Sequence, residues 1–344
     1  METIQQGDTV LVTGATGYIG NFVVEELIAA GYRVRGTSRN PEKAQFLIDY
    51  IDERFGKGHL ELVHVPDMAV DNSCNKAVKD VAGVVHLASI LPAPTAVPNE
   101  VIPPAVNGTL NILKAAREEP SVNSLAITSS GVAAVSLAAN TKKVVTSDTC
   151  NDEVLSEVRT NPSPDPYDVY AASKTAAEKA LWAAVKETPS SFQVASVLPS
   201  CDFGPRVRAT GSSTGDWLLE ALEGKQSMIH TLPLHYYINV RDDAKLHVIA
   251  LTDSARNGDR IFGFAAPYTL NDVLAVSRKM DPERQFGKGE DRGRDIMEVP
   301  VKHAEALLRE HYMRDRRQSR GGRLQPHRPF PLCPTASISL AHGC

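Results

Sequence analysis

Three groups of residues have the types and spacing to do chemistry. The first is Gly14-Ala15-Thr16-Gly17-Tyr18-Ile19-Gly20, with a glycine at every third position directly after the apolar run Val10-Leu11-Val12. A glycine-rich turn between a strand and a helix brings backbone N–H groups to a phosphate at the helix N-terminus. Gly14 permits the sharp turn, Gly17 the approach of a pyrophosphate, and Gly20 close packing of helix on strand. The second group is Tyr170-Ala-Ala-Ser-Lys174. Positions i and i+4 share a helix face. Lys174 is therefore expected beside Tyr170, where its cation favours the phenolate and lowers the hydroxyl pKa. A phenol so tuned can protonate a carbonyl oxygen as hydride reaches the carbon. The third group is Ser129-Ser130, at the end of the run SLAITSS. A hydroxyl there can hold the same oxygen and align it with Tyr170.

These residues need a scaffold that brings distant segments together. DTVLVTG, YRVRGTSR, LELVHVPD, AGVVHLAS, SLAITSS and FQVASVLPS read as six strands. YIGNFVVEELIAAG, a segment capped by Asn40 with Pro41 in its first turn, AVNGTLNILKAAREE and YDVYAASKTAAEKALWAAVKE read as helices between them. Strands separated by single helices predict an α/β fold with a doubly wound parallel sheet of the Rossmann type. Residues 1–199 form the predicted dinucleotide-binding domain, with a returning segment at about 236–252, where VRDDAKLHVIALTD reads as a helix. Residues 200–235 and 253–312 are assigned to a smaller substrate lobe, and 313–344, basic and then proline-rich, to an atypical tail expected to be disordered.

The second strand ends at Thr37-Ser38-Arg39, with Lys43 one helical turn on. An acidic residue there would accept the ribose hydroxyls of NAD. Two cations suit a 2′-phosphate instead, so NADPH is the expected cofactor. The chain has 344 residues, 37 basic and 41 acidic, and this balance argues against a nucleic-acid partner. No apolar run approaches membrane-spanning length, and the N-terminus lacks the basic-then-apolar order of a signal peptide. Cys74, Cys150, Cys201, Cys333 and Cys344 are scattered, without CxxC pairs. A reducing, cytoplasmic setting and no metal site are expected.

GATGYIG, TSRNPEK, VPDM, HLAS, PAVNGTLNIL, TSS, YAASK, LPSCDFGP and INVRDDAKLH follow one another over about residues 8–310. Their order and spacing resemble the extended short-chain dehydrogenase/reductase family, in its NADPH-dependent branch of aldehyde, methylglyoxal and dihydroflavonol reductases. The resemblance implies reduction of a small aldehyde or ketone by a monomer or homodimer. It implies Ser130 as catalytic serine, Tyr170 as general acid, and Lys174 as its partner and a ligand of the nicotinamide ribose. Gly14, Ala15, Thr16, Gly17, Tyr18 and Ile19 then contact the pyrophosphate, and Arg39 and Lys43 the 2′-phosphate. Asp67 and Met68 flank the adenine, Pro199 and Asp202 line the nicotinamide side, and Ser213 lies near a phosphate.

Asp202 stands where relatives usually carry an apolar residue, and the relatives' closing helix is replaced by the sequence after residue 312. Two other readings stay open. One is a sugar-nucleotide epimerase or dehydratase with tightly held NAD, which Arg39 and Lys43 disfavour. The other is a redox-sensing regulator that binds NADPH without chemistry, which the intact Ser130, Tyr170 and Lys174 disfavour. Trp217, Met228 and the stretch Leu232 to Tyr237 are candidates for the substrate side.

Overall fold

A computed structural model describes residues 4–89, 96–136, 138–208, 211, 213–225, 227–230 and 236–313. The expected disorder of residues 314–344, and the stretch Leu232 to His235, lie outside the described residues.

In chain order the strands are β1 Thr9–Thr13, β2 Arg33–Ser38, β3 Leu60–His64, β4 Gly83–His86, β5 Ser124–Thr128, β6 Gln193–Pro199, β7 Cys201–Phe203, β8 Tyr236–Asn239, β9 Arg260–Gly263 and β10 Ala266–Pro267. The helices are α1 Tyr18–Ala29, α2 Gln45–Phe55, α3 Pro98–Glu118, α4 Asp152–Thr160, α5 Pro166–Glu187, α6 Thr214–Leu222, α7 Val240–Thr252, α8 Leu270–Met280 and α9 Val301–Leu308. Seven strands make one sheet in the order β3-β2-β1-β4-β5-β6-β9, parallel throughout. The Rossmann architecture is therefore present, with one strand more than the six predicted. Arg260–Gly263, placed with the smaller lobe on sequence grounds, instead pairs along β6.

The apolar run of β1 is explained by burial on both faces. Val10 and Val12 point into the core shared with α1 and α7. Leu11, between them, points into the opposite core with α3 and α5. A second sheet, β10-β8-β7, packs with α6 and α8 around Phe203, Leu218, Tyr268, Val273 and Leu274. Within the returning segment, β8 belongs to this second sheet, while α7 covers the large one.

Two local details set up the site. Asp165 caps α5, accepting from the Tyr167 amide at 2.8 Å, with Pro166 in the first turn. That start places Tyr170, Lys174 and Glu178 on one face, four residues apart. Before α2, Asn40 accepts from the Lys43 amide at 3.1 Å as a cap should. The chain first makes a 3-10 turn, Glu42–Ala44, and α2 begins only at Gln45.

Candidate active site

One cavity of about 800 Å³ runs along the carboxyl ends of β1 to β6. That edge is where open parallel sheets receive ligands. Gly14 lies at one part of its wall with φ +65°, and a Cβ there would meet the Ala88 amide nitrogen at 2.9 Å. A Cβ on Gly20 would sit 2.2 Å from the Gly14 carbonyl oxygen. The turn can close only with glycine at both positions. Gly17, the N-cap of α1, has no side chain to cap the helix, and the first turn carries no acidic residue. The helix N-terminus thus faces the cavity with free amides and no competing carboxylate, which fits a pyrophosphate.

Gly14, Thr16, Gly17, Tyr18, Ile19, Arg39, Asp67, Met68, Ser130, Tyr170, Lys174, Pro199, Asp202 and Ser213 all lie on the cavity wall. Ala15 does not; it is buried beneath the turn and packs in the core. Lys43 is exposed and also off the wall. Arg39 makes no ion pair with a described residue, leaving its guanidinium available to an anion. Asp67 uses one oxygen to accept from the Ala69 amide at 2.8 Å. Arg208, which sequence reasoning missed, lines the same cavity and lies over the Phe46 ring at 5.1 Å. Its position after a loop of uncertain length hid it.

At the other part of the wall, Ser130 hydrogen-bonds the Tyr170 hydroxyl. Its neighbour Ser129 is buried and donates to Glu178 Oε2 at 2.9 Å. The two serines therefore have separate partners. Lys174, 7% exposed, donates from Nζ to the Thr128 carbonyl at 3.2 Å. Burial lowers its pKa to about 8, with Glu178 pulling the other way.

Tyr170 departs from expectation. Burial pushes its hydroxyl up to about 12; the Ser130 hydrogen bond lowers it, and Asp202 and Cys201 raise it further. The net shift is upward because burial prevails, and the Lys174 hydrogen bond goes to the Thr128 carbonyl. The tyrosine is held as a neutral phenol, a proton donor rather than a phenolate.

Two buried histidines support this floor. Thr13 Oγ1 accepts from the amides of Leu87 and Ala88 and lies 2.9 Å from His86 Nδ1. Its proton must then go to that nitrogen, leaving His86 with its hydrogen on Nε2. His247 Nδ1 donates to the Asp243 carbonyl at 2.8 Å, so Nε2 accepts from Thr128 Oγ1, also at 2.8 Å. Burial holds both rings neutral, with pKa values lowered to about 3 for His86 and about 4 for His247. Tyr167, Val132, Trp217 and Phe264 complete the apolar part of the wall. Met228 is not on it.

A strand-turn-helix phosphate cradle and a Ser-Tyr-Lys cluster on one doubly wound sheet define a dinucleotide-dependent enzyme class. Residues 10–262 match the NAD dependent epimerase/dehydratase family, and the chain belongs to that family. It is 34% identical to aldehyde reductase 2 of Sporidiobolus salmonicolor, over 85% of this chain and 87% of that one. It is 36% identical to the NAD-dependent epimerase/dehydratase terH of Aspergillus terreus, over 82% of this chain and 85% of the relative. Among solved structures, yeast methylglyoxal/isovaleraldehyde reductase Gre2 complexed with NADPH superposes with a TM-score of 0.72 at 25% identity, covering 87% of this chain and 92% of that one. No helix among the described residues is long and apolar enough to cross a membrane.

Proposed function

We propose that this protein is an NADPH-dependent reductase of aldehydes or ketones. The observation that carries the reading is the Ser130–Tyr170 hydrogen bond beside buried Lys174, in the same cavity as the glycine turn. Gly14, Thr16, Gly17, Tyr18 and Ile19 hold the pyrophosphate, Arg39 and Lys43 the 2′-phosphate, and Asp67 and Met68 the adenine. Ala15 shapes the turn from beneath. Pro199 and Asp202 border the nicotinamide, and Ser213 a phosphate. NADPH, when bound, supplies the hydride that reaches the carbonyl carbon. Ser130 holds the carbonyl oxygen by a hydrogen bond. Tyr170 gives that oxygen its proton, and the Lys174 ammonium stabilises the negative charge left on the phenol.

Tyr167, Val132, Trp217 and Phe264 suit a neutral, apolar or aromatic carbonyl compound. An epimerase reading, suggested by the family description and by one relative's name, is disfavoured by Arg39 at the end of β2. The net negative charge disfavours a nucleic-acid partner, and the free thiols of Cys74, Cys150 and Cys201 suit a reducing, cytoplasmic setting; a monomer or homodimer is the assembly expected from the resemblance alone.

The test is NADPH consumption across aldehydes, diketones, β-keto esters and aryl ketones. Tyr170→Phe should lower kcat by about 10²- to 10⁴-fold while NADPH still binds. Parental turnover in that variant would refute the mechanism. A purified protein carrying tightly bound NAD and ignoring added NADPH would favour the epimerase reading.

A further inference from the structure

Glu178 takes no part in the proton transfer just described, yet several elements of the site converge on its carboxylate. It lies one helical turn after Lys174 on α5 and is 5% exposed. Oε2 accepts from Ser129 Oγ at 2.9 Å and from the Arg260 guanidinium at 2.9 Å. Oε1 accepts from Ser196 Oγ at 2.9 Å, from Arg260 Nε at 3.0 Å and from Trp182 Nε1 at 3.4 Å. The carboxylate thus ties α5 to the end of β5, to β6 and to β9. Arg260 in turn donates to the Thr149 carbonyl at 2.8 Å.

A two-pronged pair this deeply buried is weak evidence for stability alone, because desolvation consumes most of its attraction. Its placement is more informative. Ser129 is the residue before Ser130, and its hydroxyl joins the end of β5 to α5 beside the hydrogen bond from Lys174 to Thr128. Lys174 has few neighbours able to answer its charge. His86 on β4 and His247 on α7 face it as neutral rings. From β5 it receives only the Thr128 carbonyl, and Tyr170 on its own helix is a neutral phenol. Asp202 on β7 acts on Tyr170 and is itself held toward the neutral form by burial. Around Glu178 the other charged groups are Arg260, Lys179 and Asp148, which surround a separate cavity of about 270 Å³ on the far side. Lys179 is paired there with Asp152.

We propose that Glu178 is a positioning residue for the reduction. Its carboxylate fixes Ser129, and through the backbone Ser130, against the helix that carries Tyr170, and it supplies the negative charge facing Lys174. This rests on the reductase reading, since both groups it positions are assigned roles there. If Glu178 acts in this way, the pH at which Lys174 loses its proton depends on Glu178, whereas a purely structural glutamate would change only the amount of active protein.

The experiment measures kcat of NADPH-driven reduction against pH for the full-length protein and four variants. In the parent, kcat falls through a limb near the Lys174 value of about 8. Glu178→Gln moves that limb down by about one pH unit, a tenfold loss of kcat on the alkaline side. Because Gln leaves Arg260 buried without its partner, Glu178→Gln combined with Arg260→Gln is made alongside. The limb moves in the same direction there, by less, since one cation is removed with the anion. Glu178→Asp returns the limb to the parental pH at reduced kcat. Ser129→Ala, which leaves the charge in place, lowers kcat about tenfold with the limb unmoved. A limb at the parental pH in the doubly substituted protein overturns the electrostatic part of the proposal. Parental kcat in Ser129→Ala overturns the positioning part. A parent that consumes no NADPH with any carbonyl refutes the reductase reading itself, a distinct failure.

Discussion

At the scale of single residues, burial sets the protonation states. Tyr170 holds its proton up to about 12, so it remains a donor across the working pH range. Lys174, lowered to about 8 by burial, is the group that titrates within that range. It is cationic below that value and neutral above it. Reductive kcat/KM should therefore be flat in mild acid and fall as pH rises through about 8, and a profile still rising at that point would assign the limb to another group. Arg39 makes a second prediction. It lines the cavity at the end of β2 and has no ion-pair partner among the described residues. A charge-assisted contact to a phosphate contributes about 1.5–3 kcal/mol. Arg39→Asp should thus lower kcat/KM for NADPH by about 10- to 100-fold and raise that for NADH relative to it. These residues were legible in the sequence because each depends on a short local pattern: a glycine turn, an i,i+4 pair, the residue just after a strand. What the pattern hid was environment. The Tyr170–Lys174 spacing suggests a lowered phenol pKa, but spacing carries no information on burial, which prevails.

At the scale of elements, the contact between β7 and α7 is unusual. Asp202 is 5% exposed and Asp243 is fully buried. Asp202 Oδ1 and both carboxyl oxygens of Asp243 find no hydrogen-bond partner among the described residues. Burial raises both carboxyls well above the ordinary range, and the Asp202 charge raises Asp243 further. A carboxyl whose folded pKa exceeds its unfolded value of about 4 binds its proton more tightly when folded. It favours folding in acid, and that contribution is lost as pH rises toward the folded pKa. His86 and His247, with lowered values, act oppositely: they favour folding above about 6.5 and lose that contribution as pH falls. Replacing the acid pair by Asp202→Val with Asp243→Val should stabilise the protein by about 1–3 kcal/mol, the cost of burying polar groups left unsatisfied. The gain should be larger at pH 8 than at pH 5, as read by denaturant unfolding at both. A loss of stability at pH 8 would mean that the carboxyls are satisfied in a way the contacts do not reveal. The sequence exposes Asp202 as an oddity but gives no sign that Asp243 belongs beside it. That pairing depends on β7 lying under the start of α7, a long-range fact that periodicity does not encode. The seventh strand escaped for a related reason: Arg260–Gly263 has only Ile261-Phe262 as its apolar run between Arg260 and Gly263, too little to separate from turn without the pairing along β6.

At the scale of the whole molecule, the cavity is walled by the strand ends of the large sheet and by residues that follow β6, including Cys201, Asp202, Arg208, Ser213, Thr214 and Trp217. A dinucleotide lying in it contacts both, so its binding energy opposes separation of the two sheets as well as unfolding of either. At 100-fold excess over Kd a ligand bound only by the folded state adds about 2.7 kcal/mol, or on the order of five degrees in Tm for a protein of this size. Tyr170→Phe should keep that shift, since it removes a proton donor and leaves the cradle intact. Gly17→Val should lose it. A Cβ at Gly17 meets the Gly14 carbonyl oxygen at 3.2 Å, close enough to require only a small adjustment, and Gly17 has an ordinary negative φ of −78°. The fold should therefore survive with a baseline Tm near the parent's, while the added side chain occupies the space where backbone amides meet the pyrophosphate. Thermal unfolding with and without NADPH separates the outcomes. If Gly17→Val kept the full shift, the phosphate would have to bind elsewhere in the cavity, and the strand-turn-helix cradle would be a tight turn and nothing more.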